Sequence, residues 1–74
     1  MGYMKRKHFD RLVKYLDPKA SKKTMKATRL ALTEGYSIRG AAAFIETDNA
    51  GVTRQAARIR ELYELCEAIA KDLK

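Results

Sequence analysis

The stretch Gly35–Arg60, GYSIRGAAAFIETDNAGVTRQAARIR, decides how this chain is read. Ser37 is placed to cap a short helix from Ile38 to Glu46, and Asp48 to cap a second that could run to Leu73. Ala41-Ala42-Ala43 leave room for close helix–helix contact, and Ile45 packs at the end of the first helix. From Val52 onward, apolar or small residues recur at Ala56, Ile59, Tyr63, Cys66, Ala70 and Leu73, in alternating steps of four and three that keep one seam on one side of a helix. At about 100° per residue, Ala50, Arg54, Ala57 and Glu61 lie opposite that seam, flanked by Thr53 and Arg58. The expectation is a helix-turn-helix over residues 37–58, with Asn49, Ala50, Thr53, Arg54 and Arg58 on the exposed side of its second helix.

That face has the chemistry of major-groove reading. Arginine pairs bidentately with guanine and asparagine with adenine, while the two alanines allow close approach. Amides at the start of the second helix can also take a phosphate. Ser37 and Arg39 at the front of the first motif helix, with Lys22, Lys23 and Lys26 upstream, are candidate phosphate contacts that would fix register. The plainer reading is a solvated helix face that happens to carry arginines.

Upstream, Phe9, Leu12, Val13 and Leu16 fall on one face of a helix over residues 4–16, which Asp17-Pro18 ends. Ser21 is a plausible cap for a helix reaching Glu34, with Met25, Ala27, Ala31 and Leu32 available for burial and Gly35 at the C-cap. No segment alternates with period two. The expected fold is all-α: one four-helix domain over residues 1–74 with a long C-terminal helix.

Composition restricts the function classes. The net charge of +7 is uneven: residues 1–30 hold ten Lys/Arg against Asp10 and Asp17, whereas residues 61–74 hold two against four acids. A basic body with an acidic tail suits a protein that grips a polyanion with one part and a protein with the other. One cysteine, Cys66, precludes an intramolecular disulfide, and one His with one Cys is a poor basis for a zinc site, so neither metal nor cofactor is expected. His8 reads as a surface residue and Cys66 as a buried small hydrophobe. Glu61, Glu64 and Glu67 read as a solvated helix edge. Tyr3, Tyr15, Tyr36 and Tyr63 are scattered, without the paired platform of single-strand binders. Ser37 and Thr53 have no base nearby, so no catalytic residue is assigned. The longest apolar run, Gly40–Ile45, is too short to span a membrane, and no apolar run follows Lys5-Arg6-Lys7, so a cytoplasmic location is expected.

Beyond Arg60 the last helix is apolar on two sides. Leu62, Leu65 and Ile69 flank the seam residues Cys66 and Leu73, more apolar surface than a three-helix body covers, which makes residues 61–74 a candidate two-fold interface. The competing arrangement packs Leu62, Leu65 and Ile69 back on Phe9 and Val13.

From Thr24 through Tyr63 the chain resembles the TrfB/KorA-type transcriptional repressors of bacterial plasmids, and it is also similar to the PapB-type regulators of fimbrial operons. The residues that carry the likeness are Glu34-Gly35, Ala42, Ile45, Val52, Arg58-Ile59 and Tyr63. Gly35-Tyr36-Ser37 favours the fimbrial side, and Phe9 to Leu16 the plasmid side. The resemblance implies a dimeric regulator that binds an inverted-repeat operator in double-stranded DNA through the second motif helix. Three positions depart from the pattern: Glu46 where glycine is common, Thr47 in place of an aliphatic residue, and Gln55 at a site usually apolar. A register that starts the second helix at Thr53 needs a five-residue insertion and buries Arg60. The other function class is a small protein-interaction module, adaptor-like or antitoxin-like, that uses the apolar C-terminal helix.

Overall fold

Three of the four helices begin with the same device, a polar side chain turned back onto the first free backbone amides. In the computed structural model, which describes residues 2–73, the helices are α1 (Arg6–Leu16), α2 (Lys22–Thr33), α3 (Ile38–Ile45) and α4 (Asn49–Asp72). Ser21 Oγ accepts from the Thr24 amide at 3.1 Å and Ser37 Oγ from the Gly40 amide at 2.9 Å. The Asp48 carboxylate accepts from the Ala50 and Gly51 amides at 3.4 and 3.3 Å. Each satisfies donors that a helix start leaves orphaned. All three caps stand where the sequence places them, and the all-α class holds.

The exits are equally local. Asp17, Gly35 and Glu46 adopt positive φ (45°, 79° and 63°), the left-handed turn that ends a helix. Glycine takes this conformation freely, whereas Asp17 and Glu46 carry a Cβ penalty. Helix α1 starts at Arg6, two residues later than the apolar spacing implied. Met4 is used otherwise: its amide donates to the Leu32 carbonyl at 3.0 Å and its side chain is buried. The residues before α1 therefore form a bent, non-helical arm against the end of α2. Gly2 lies so close to the Thr33 backbone that it leaves no room for a Cβ.

Two apolar clusters share α4 as a common wall. Ala27 of α2, Ala41 and Ala42 of α3, and Val52 of α4 form the first. Met4, Phe9 and Leu12, Leu32 of α2, and Ala56 and Ile59 of α4 form the second. On α4, Val52 thus serves the first cluster and Ala56 and Ile59 the second, and α2 packs against every other helix. Of the residues read as available for burial on α2, Ala27 and Leu32 are fully buried; Met25 and Ala31 are half-buried. Thr28, not anticipated, is also fully buried, because its hydroxyl donates to the Thr24 carbonyl at 2.7 Å and needs no other partner. Ala43 is exposed, so only two of the three alanines make the close contact.

The seam of α4 is covered only as far as Tyr63. Beyond it Cys66, Ala70 and Leu73 are exposed, which corrects the reading of Cys66 as buried. The reason is length. At about 1.5 Å per residue α4 spans about 36 Å, and the shorter α1 covers only its middle. His8 is half-buried against Tyr63, with ring centroids 6.0 Å apart, rather than a free surface residue. No helix among the described residues is long and apolar enough to cross a membrane.

The N-terminal arm is fastened to α4 by Tyr3, whose ring meets Tyr63 edge-on at 5.6 Å and lies under the Arg60 guanidinium at 5.3 Å. The tyrosines are therefore not all scattered. The Tyr3 hydroxyl donates to the Glu64 carboxylate. That hydrogen bond, then desolvation and the negative charge of Glu64, raise the Tyr3 pKa above its ordinary 10.0, against a smaller opposing effect of Arg60. The folded chain holds this proton more tightly than the unfolded one, so the contribution is full below the ordinary value and is lost as pH rises through the folded value. We predict that urea-unfolding stability falls above pH 10 more steeply in wild type than in Tyr3→Phe; equal slopes would remove the Tyr3–Glu64 contact from the account.

Candidate nucleic-acid interface

Helices α3 and α4 are joined by Glu46, Thr47 and Asp48 alone. Glu46 in the left-handed conformation reverses the chain; its amide donates to the Ala43 carbonyl at 3.2 Å and that of Thr47 to Ala42 at 2.9 Å. Asp48 then restarts the chain as the cap of α4. Because α4 begins at Asn49, Gly51 and Val52 are interior residues and not a turn, so the helix does not start at Thr53. Small side chains hold the two helices together: Ala41 and Ala42 meet Val52 with no bulk between the backbones.

The departures at the turn have local explanations. Thr47 is half-buried and brings its hydroxyl to 3.4 Å from that of Thr24 on α2, which in turn contacts Ser21 Oγ at 2.9 Å. An aliphatic residue at 47 would forfeit this polar link. Gln55 is half-buried, and its Oε1 is buried without a hydrogen-bond partner among the described residues, a cost that an apolar side chain would not carry.

Asn49, Ala50, Thr53, Arg54, Ala57 and Arg58 are all exposed on the N-terminal half of α4. The Thr53 hydroxyl donates to the Asn49 carbonyl at 2.9 Å, which leaves its lone pairs open to an incoming donor. Ser37 and Arg39 are exposed at the front of α3, where Ser37 uses one lone pair for its cap and keeps its proton to give. Lys22, Lys23 and Lys26 are exposed and fall within an arc of about 100° on α2. At about 100° per residue, Lys22 and Lys26 lie on the side of α2 away from Thr24, whereas Lys23 flanks Ala27 on the edge toward α3. The N-terminus of α2 itself lies against the turn and the start of α4: a Cβ on Gly51 would be 3.5 Å from the Thr24 methyl.

The Asp48 cap changes one expectation. The amides of Ala50 and Gly51, read as able to take a phosphate, already donate to a carboxylate. A second anion there would meet that negative charge, so the tip of α4 is a poor phosphate seat. The α2 lysines stand on the first turns of that helix, while Arg11 of α1 lies beside the far half of α4. Among the residues read as a dimer contact, Leu62 is half-buried and packs on the second cluster of its own chain. Leu65, Cys66, Ile69 and Leu73 are exposed. Among the described residues no group of three His, Cys, Asp or Glu is placed to hold a metal ion.

Compared with protein families, with curated proteins and with solved structures, the chain matches none of them.

The turn region carries two residues whose backbone roles are the reverse of their types: Glu46 is left-handed and Gly51 is helical. We predict that Glu46→Gly and Gly51→Ala each raise stability by about 0.5–1 kcal/mol. The space at Gly51 allows it, since a new methyl would make only ordinary contacts, the nearest at 3.5 Å. Urea unfolding reads both; a loss of stability in either would show that the turn is built differently.

Proposed function

We propose that the chain is a sequence-specific double-stranded DNA-binding transcriptional regulator, a homodimeric repressor at an inverted-repeat operator. The observation that carries this is the exposed N-terminal face of α4. Asn49, Thr53, Arg54 and Arg58 project there around the small residues Ala50 and Ala57. Buried Val52, Ala56 and Ile59 fix the opposite side of the same helix. A short helix, a tight turn and a rigidly held second helix with this face form the arrangement of a helix-turn-helix, whose second helix enters the major groove.

In this reading Arg54 and Arg58 pair with guanine edges, Asn49 with adenine, and Thr53 accepts from a base donor. Ser37, Arg39 and Lys23 hold phosphates and fix register, with Lys22 and Lys26 adding longer-range attraction. Asp48 opposes phosphate at the helix tip. It lowers affinity for all sequences alike and leaves discrimination to the side chains farther along. In a dimer the two reading helices enter successive major grooves about 34 Å apart. The resemblance to the TrfB/KorA-type repressors supports the same reading on the residues quoted for it, and the PapB-type regulators share the motif. No step of this function needs a cofactor, a metal or a small-molecule ligand.

A second reading is favoured by one observation, the exposure of Leu65, Ile69 and Leu73. It makes the chain a protein-interaction module whose basic charge is incidental. Titration against a selected operator and random duplex at several salt concentrations separates the two. A regulator keeps a large specific-over-nonspecific ratio while both affinities fall with salt.

We predict that Arg54→Ala costs about 1–3 kcal/mol on the preferred site and relaxes base preference. Lys23→Ala weakens all sequences alike and flattens the salt slope. Asp48→Asn keeps the cap, since Asn and Asp serve equally well, and strengthens binding to every duplex. Fluorescence anisotropy on operator and random DNA reads all three; wild-type operator affinity in Arg54→Ala would remove the assigned reading face.

A further inference from the structure

An open trough of about 590 Å³ runs between α1 and the far half of α4. Arg11 and Tyr15 line its α1 wall, and Cys66 and Ala70 line the α4 side. Cys66 and Ala70 are four residues apart and form one small-residue row along the helix. Leu65, Ile69 and Leu73 form the neighbouring row at the same spacing, with side chains 55%, 51% and 83% exposed. Rows at i±4 are the ridges that interdigitate when helices pack.

One helix thus carries bulky knobs and an adjoining line of small residues, both without a partner in the monomer. A two-fold axis turns each into the complement of the other, because the same patch then appears on both sides of the contact. Charge points the same way. The α1 wall carries Arg11, while Glu61 and Asp72 flank the Leu65–Ile69–Leu73 row on the exposed end of α4; Glu67 lines the trough of its own chain. A second α4 laid in the trough brings its acidic edge toward Arg11. Tyr15, 82% exposed at the rim, would be covered by the same event.

We propose that the occupant of the trough is the C-terminal half of α4 from a second copy of this chain. Each copy places its Leu65–Ile69–Leu73 row against the Cys66–Ala70 row of the other, and α1 forms the outer wall through Arg11 and Tyr15. Leu62 stays in the core of its own chain. This deepens the homodimer of the proposed regulator and rests on that reading for its role on DNA, but the contact itself is tested without DNA.

Sedimentation velocity of the full chain, from micromolar to submillimolar concentration, gives the oligomeric state. Wild type should be a dimer. Ile69→Glu, and independently Tyr15→Ala on the other wall, should each raise the dimer dissociation constant about tenfold or more. Arg11→Glu should do the same while Arg11→Lys retains the dimer. Both Ile69 and Tyr15 are exposed in the monomer, so helicity by circular dichroism should not change. Cys66 supplies a second readout: its rate of reaction with an aromatic disulfide reagent should fall as wild-type concentration rises, and not in Ile69→Glu. A monomeric wild type at every concentration, or a dimer indifferent to both Ile69→Glu and Tyr15→Ala, overturns the proposal. The two readings fail separately: an intact dimer whose Arg54→Ala variant binds operator like wild type defeats the DNA assignment alone, whereas tight operator binding by a strict monomer defeats this contact alone.

Discussion

Everything in this fold depends on one buried line, Val52–Ala56–Ile59 on α4. These three residues are almost wholly shielded from solvent, and each belongs to a cluster that a different part of the chain completes. Val52 receives Ala41 and Ala42 and so fixes α3. Ala56 and Ile59 receive Leu12, Phe9 and Leu32, and so fix α1 and the end of α2. A chain of 74 residues has little apolar material, and spending it along one helix leaves the opposite face of that helix free without loss of hold. The orientation of Arg54 and Arg58 therefore follows from packing on the reverse side, at ordinary helical spacing.

Much of this was legible in the sequence because the controlling interactions are local. Ser21, Ser37 and Asp48 act on amides two or three residues away, and Gly35 acts through its own φ, so a linear reading places them well. The three-four recurrence along α4 likewise predicts which residues face inward near its start. What could not be read was where a covering partner stops. Cys66, Ala70 and Leu73 continue the same periodicity as Val52 and Ile59, yet α1 is too short to reach them. The N-terminal arm was hidden for a similar reason: Tyr3 is about sixty residues from Tyr63 and Glu64 in the chain. An early aromatic in an otherwise polar arm, with Met4 beside it, was the available signal. The exposed set on α4 was legible as a face.

The distribution of charge complements that of apolar surface. Lysines stand on the first turns of α2 and other bases along α1, so a net charge of +7 is spread over several elements. The acidic residues concentrate where apolar side chains are exposed, on the last turns of α4. Acidic edges keep such a surface from associating with arbitrary neighbours and bias it toward a basic wall.

The continuity of α4 has a mechanical meaning. From Val52 to Asp72 the helix contains neither proline nor glycine, the usual points of bending. It behaves as a rigid arm of about 36 Å with its fulcrum at Ile59. About that fulcrum a swing of about 10° displaces Asn49, about 15 Å away, by roughly 2.6 Å, most of one base-pair step. Whatever grips the far end of α4 thereby sets the reach and angle of Asn49 and Arg54 at the near end.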